Sequence, residues 1–137
     1  MKHILVGYDG SKYADKAFAM ALDLAAKYGA ELEVLSAARP PEPPEMVETE
    51  ALLESAEEHF KESFGTLKSQ AAAAGVQVKC KVLVGHPADQ IVHHAGQSGT
   101  DLIVLGHRGK SLVQRWLLGS ISKRVLSYAH CPVLIVR

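Results

Sequence analysis

The sequence predicts an α/β protein: one domain built on a five-stranded parallel sheet, doubly wound, with helices on both faces. Three observations lead there. Short apolar runs alternate with segments of helical periodicity in the order β-α-β-α-β-α-β-α-β, and such alternation calls for parallel strands joined by crossover helices. Several runs are apolar at nearly every position, as in strands covered on both sides. The length, 137 residues, suits a single core.

Each element has its own signal. Residues 3–8, HILVGY, form the first strand and run into DGS. Ser11 can cap the following helix, whose Ala14, Ala17, Phe18, Ala21, Leu22 and Ala25 recur at helical spacing before Gly29 stops it. Residues 31–37, ELEVLSA, make the second strand. Four prolines within residues 40–44 then forbid helix and stiffen the connection. A long helix follows on Leu53, Ala56, Phe60, Phe64, Leu67, Ala71 and Ala74, ending at Gly75. Its acidic first half (Glu45, Glu48, Glu50, Glu54, Glu57, Glu58) has the favourable sign for a helix N-terminus and reads as a solvated face.

The third strand lies in VQVKCKVLV, and Pro87 opens the third helix, with Ile91, Val92 and Ala95 inward and Gly99 at its end. DLIVLG is the fourth strand. Gly119–Ser120 opens the last helix, with Ile121, Val125, Leu126 and Ala129 on one stripe, and PVLIV closes the chain as an edge strand.

Composition excludes several classes. The chain is 47% hydrophobic and 22% charged, with 15 basic against 15 acidic residues. A nucleic-acid or membrane-surface binder usually carries a basic excess, so neither partner is expected. The opening MKHILVGYDG is too short an apolar run for a signal peptide, and no stretch is long enough to span a bilayer; the cytoplasm is the expected location. Cys80 and Cys131 form no CxxC pair and read as two buried thiols. His93 and His94 are adjacent, so they point to different helix faces and make no metal pair.

GHRGKS, Gly106 to Ser111, carries a GKS triplet behind a strand. A P-loop needs G-x-x-x-x-G-K-[ST], and the position of its first glycine is Val104. The P-loop is therefore absent, and so is G-x-G-x-x-G. Another pattern is complete: Gly106-x-x-Gly109, nine residues, then Gly119-Ser120 and Ser122. Glycines let the backbone approach an anion without a Cβ in the way. A helix opened by Gly119 and Ser120 offers amide hydrogens without internal partners, and its dipole favours negative charge. The Ser120 and Ser122 hydroxyls can add donors, and Arg108 or Lys110 can add charge.

This arrangement resembles the universal stress protein family, whose G-2x-G-9x-G-[ST] signature the chain matches without a gap. VGYDGS resembles the family's first strand end, GHPADQIV its G-x-P-x-x-x-I helix start, and HCPVLIVR its closing strand. The resemblance covers the whole chain. It implies a Rossmann-like fold, related to the adenine nucleotide alpha hydrolases, with strand order 3-2-1-4-5. It also implies an adenine nucleotide, ATP, as ligand. Asp9 would lie near the ribose hydroxyls, and Gly7 and Ala37 would border adenine and ribose. Gly106, Arg108, Gly109, Gly119, Ser120, Ile121 and Ser122 would surround the phosphates. Mg²⁺ would be held mainly by those phosphates.

Competing readings stay open at single positions. Asp9 could instead cap the first helix with Ser11. His107 reads as a loop residue, and Trp116 with Leu117 and Leu118 could cover a ligand, meet a partner or pack in the core. A bare apolar edge is a liability; with the resemblance, PVLIV implies a homodimer joined there. Hydrolysis needs a positioned water and a residue to orient it. Gln114 lies in the insert without a stated partner, so binding with slow or no turnover is expected. A slow ATPase or nucleotidyl transferase, or a binder of AMP or cyclic AMP, are the alternatives.

Overall fold

A computed structural model of the chain describes residues 1–40, 48–108 and 119–137. Its elements are β1 (His3–Gly7), α1 (Lys12–Tyr28), β2 (Glu31–Ala38), α2 (Thr49–Ala73), β3 (Val78–Val84), α3 (Pro87–Ser98), β4 (Leu102–Gly106), α4 (Ser120–Tyr128) and β5 (Val133–Val136). The strands form one sheet in the order β3-β2-β1-β4-β5, every neighbour parallel. The expected doubly wound architecture and strand order hold. Chain order reverses at β1, so the carboxyl ends of β1 and β4 flank the switch point, where ligands of open α/β sheets sit.

The side-chain period of two divides the core. Ile4 and Val6 of β1 and Val104 of β4 face one way, against Phe18 of α1 and Leu67 of α2. Leu5, Ile103 and Leu105 face the other way, against Ile91 of α3 and Val125 of α4. A strand that must bury both faces has no room for polar alternation, which is why HILVG and LIVLG read as unbroken apolar runs.

Helix ends follow the capping rules. The Ser11 hydroxyl accepts the Ala14 N–H, and Gly29 ends α1 in the left-handed conformation, its amide reaching the Ala25 carbonyl. Pro87 occupies the first turn of α3 and Gly99 its left-handed stop.

Three expectations are corrected. Leu126 is 43% exposed; in α4 the inward residues are Ser122 and Val125. Four residues advance a helix by more than one turn, so the stripe through Ile121 and Val125 passes Leu126 by. Ala74 lies beyond α2 as its exposed C-cap. Cys80 and Cys131 are free but half-buried, because β3 and β5 are the outer strands and leave their neighbourhoods partly open; burial still pushes both thiols up. His107 is a loop residue, as expected, and it is buried. Its amide donates to the Val136 carbonyl at 2.6 Å and its carbonyl accepts from Gly119 at 3.0 Å, which fixes it between β5 and α4.

His94, half-buried on α3, places Nε2 2.8 Å from Glu33 Oε1. Glu33 sits at a β2 position that faces the α3 side, and the imidazole supplies its partner.

Candidate functional site

A cavity of about 530 Å³ opens at the switch point, within the usual range for small-molecule sites. Its walls come from four strand ends and helix beginnings. Gly7 and Asp9 stand at the end of β1, Ala37 and Arg39 at the end of β2, Gly106 and Arg108 at the end of β4. Gly119, Ser120, Ile121 and Ser122 bring the N-terminus of α4 to the same space. These residues are scattered over 116 positions of chain and meet because parallel strands end on one side of the sheet. Gly109, Lys110, Gln114 and Trp116 to Leu118 lie outside the described residues, as do the prolines and Glu45 of 41–47.

Two hydrogen bonds hold the separated glycine turns together. The Gly119 amide donates to the His107 carbonyl at 3.0 Å, and the Ser122 hydroxyl donates to the Gly106 carbonyl at 3.1 Å. Ser122 is 4% exposed, and its hydroxyl proton is committed to Gly106. It is thus a structural tie rather than the anion donor expected from the sequence. Ser120 is exposed at the helix start. The cap residue is glycine and brings no side chain, so it offers no oxygen to the first amides of α4. The N–H groups of Ser120, Ile121 and Ser122 therefore begin a helix aimed at the cavity, with the dipole's positive end behind them.

Two of the glycines have a packing reason besides the one expected. A Cβ on Gly106 would stand 2.8 Å from the Tyr13 carbonyl carbon and Cβ. A Cβ on Gly7 would stand 2.5 Å from Leu105 Cδ2 and 2.7 Å from Ile91 Cδ1. The Tyr13 backbone demands glycine at Gly106 independently of any ligand, whereas at Gly7 the two side-chain ends must shift to admit a Cβ.

Asp9 Oδ1 accepts the Ser11 amide at 2.9 Å, and Ser11 in turn caps α1. The helix-capping role and a place on the cavity wall coexist in one residue. The Ser36 hydroxyl donates to the Tyr8 carbonyl at 2.6 Å and ties β2 to the turn that carries Asp9.

Several lining residues escaped the sequence reading. Phe60 reaches the cavity from α2, stacked on Phe64 at 5.5 Å and edge-on to Tyr8 at 6.5 Å. Ile91 and Leu105 add apolar wall, and Arg39 and Lys123 add charge. Among the described lining residues, the cations Arg39, Arg108 and Lys123 face the single carboxylate of Asp9. The cavity thus has apolar walls, backbone donors and a cationic balance, a combination that suits an anion carrying an apolar or aromatic body.

A doubly wound parallel sheet with such a cavity at its switch point, flanked by a helix N-terminus, defines a protein of the Rossmann-like class. More narrowly, the chain belongs to the universal stress protein family, whose profile matches residues 1–137. It is 38% identical to the universal stress protein YxiE of Bacillus subtilis over 149 aligned residues, covering 98% of this chain and 97% of that one. Among solved structures it is similar to universal stress protein UspA from Lactobacillus plantarum, with a TM-score of 0.87, 27% identity and coverage of 99% and 97%. It is also similar to a universal stress protein solved in complex with cAMP, with a TM-score of 0.77, 29% identity and coverage of 99% and 97%.

Proposed function

We propose that the protein binds ATP in the switch-point cavity and acts in the cytoplasm as a nucleotide-dependent regulatory module of the stress response, with slow or no hydrolysis. One observation carries this reading: the Gly106–Arg108 turn and the uncapped start of α4 converge on one cavity, tied by the Gly119–His107 and Ser122–Gly106 bonds. Amides of Ser120 and Ile121, the Ser120 hydroxyl and Arg108 take the phosphates. Gly109 joins them by the family's signature. Asp9 accepts from the ribose hydroxyls, and Gly7 and Ala37 border the nucleoside. A structural neighbour that holds cAMP supports an adenine nucleotide as the ligand class.

The described lining residues support slow turnover. Asp9 is the one carboxylate among the described lining residues, and no Gln or His is among them. Asp9 already holds the Ser11 amide. Orienting an attacking water needs a group that this set does not supply. The donors suit oxyanions rather than cations, and a lone carboxylate is no cage for a divalent ion. Mg²⁺ would enter with the triphosphate and be held mainly through its oxygens, screening their charge.

The cAMP-bound neighbour favours one second reading, a monophosphate or cyclic-monophosphate binder. Denaturing the purified protein and assaying the supernatant for nucleotide tests the class, and competition among ATP, AMP and cAMP ranks the ligands. Tightest binding by ATP is expected; no adenine nucleotide in either assay overturns the reading. Single-turnover phosphate release far above background would make the protein an ATPase instead. The apolar β5 edge pairs only with β4 among the described residues, and we assign a homodimer to it; a monomer mass in sedimentation would refute that assignment.

A further inference from the structure

We infer that Lys12 and Lys16 extend the cavity's cationic wall through Arg108 into a station that reads the terminal phosphates, so that phosphate number sets the ligand preference. The inference rests on the adenine-nucleotide reading above and adds to it which nucleotide is preferred and why.

Three cations gather on one ring. Lys12 Nζ lies 5.4 Å from the Tyr13 ring centroid, Lys16 Nζ 5.8 Å and Arg108 Cζ 6.0 Å. No two of the three charges are then more than about 12 Å apart, close to a Debye length in ordinary buffers. Tyr13 is itself held against the cavity rim. Its backbone packs so tightly on Gly106 that a Cβ there would be 2.8 Å away, and its ring meets His107 at 6.3 Å. The ring is therefore a fixed post beside the turn that ends β4, and the three cations are placed relative to that turn.

Lys12 and Lys16 are four apart on α1, where like charges repel. The acid of the same turn, Asp15, accepts the Tyr8 hydroxyl at 2.7 Å. The negative face of the ring offsets part of the repulsion. A ligand's anionic tail would offset more.

Arg108 belongs to both groups, lining the cavity and standing over Tyr13. A phosphate next to the sugar, held by the start of α4, meets the cavity donors alone. Each further phosphate adds negative charge on the Arg108 side, toward Lys12 and Lys16. A monophosphate or a cyclic phosphate has no such tail. The station thus separates ATP from AMP and cAMP by charge and length, and leaves the base and ribose contacts unchanged. An acidic protein segment would be drawn to the same patch, but it would not be continuous with the cavity through Arg108.

The test is calorimetric titration of the full chain with ATP, ADP, AMP and cAMP, at low and at raised NaCl. The unaltered protein is compared with the double variant Lys12→Gln, Lys16→Gln. Both positions are exposed and glutamine is a good helix former, so the fold is retained. The expected result is a loss of about tenfold in ATP affinity, a smaller loss for ADP, no change for AMP, and a weaker salt dependence for ATP. Equal losses for ATP and AMP, or no change in ATP binding, overturn the inference while leaving the nucleotide reading intact. Failure of the unaltered protein to bind any nucleotide overturns both, and is read before any variant is made.

Discussion

The Ser122 hydroxyl donates to the Gly106 carbonyl at 3.1 Å, joining two residues of the cavity wall sixteen positions apart. Ser122 is buried, and Gly106 ends the strand next to the switch point. The first turn of α4 therefore cannot drift from β4 without leaving the buried Ser122 hydroxyl short of its acceptor. Ser122→Ala removes the tie at nearly constant volume. The expected cost is about 1–3 kcal/mol of unfolding free energy, read as a lower urea midpoint at unchanged slope. A midpoint equal to that of the unaltered protein would show that the tie contributes nothing.

Glycine-to-larger substitutions should separate packing from binding. At Gly106 a Cβ meets the Tyr13 backbone at 2.8 Å, and backbone cannot swing aside. Gly106→Ala should cost about 1–3 kcal/mol of stability through overpacking. Gly119 has φ −61° and ψ 155°, extended backbone that valine adopts freely. Gly119→Val should change stability by less than about 1 kcal/mol and abolish ATP binding by filling the space before the α4 amides. Thermal melts and calorimetric titration of the two variants check the contrast. ATP binding retained by Gly119→Val would refute the phosphate assignment.

Asp9 links the cap of α1 to the ligand. Its Oδ1 accepts the Ser11 amide, and in the proposed complex the carboxylate also accepts from a ribose hydroxyl. A hydrogen bond to a charged acceptor contributes about 1.5–3 kcal/mol, so Asp9→Ala should weaken ATP roughly tenfold to a hundredfold. A nucleotide lacking both ribose hydroxyls should bind the unaltered protein as weakly as ATP binds the variant. It should lose nothing further on the variant. Additive losses in that double cycle would place Asp9 elsewhere than at the ribose.

What could be read in advance was whatever is local or periodic. Alternating elements, the Ser11 cap, the Gly29 and Gly99 stops and the spacing of Gly106 and Gly119 all leave marks within a few residues. What escaped depends on elements that meet only in the folded chain. Phe60 lies in the middle of α2, and its helical spacing gives no sign that it walls a cavity. The need for glycine at Gly106 comes from Tyr13, more than ninety residues earlier. Ser122 looks like a phosphate donor in the motif and becomes a tie once Gly106 stands beside it. The Glu33–His94 pair joins a strand to a helix sixty-one positions later, and neither residue hints at the other.

Tyr8 yields a prediction about alkaline stability. Its ring packs at 6.5 Å from Phe60 and 6.4 Å from Phe64, and it is 6% exposed. Burial disfavours the phenolate, and Asp15, which accepts the hydroxyl proton at 2.7 Å, disfavours it further; together they push the phenol up from 10.0 to about 12. The folded state therefore holds this proton more tightly than the unfolded chain. Below pH 10 both states are protonated and the contribution to stability is complete. Between pH 10 and pH 12 the unfolded chain gives up the proton first, so stability falls as pH rises. Tyr8→Phe has no such proton and should show a shallower decline of denaturation midpoint over that window. The phenolate absorbance that the variant lacks should develop near pH 12 in the folded protein. A lost phenolate signal centred at pH 10, or parallel declines in the two proteins, would contradict the assignment of a buried, carboxylate-bound phenol.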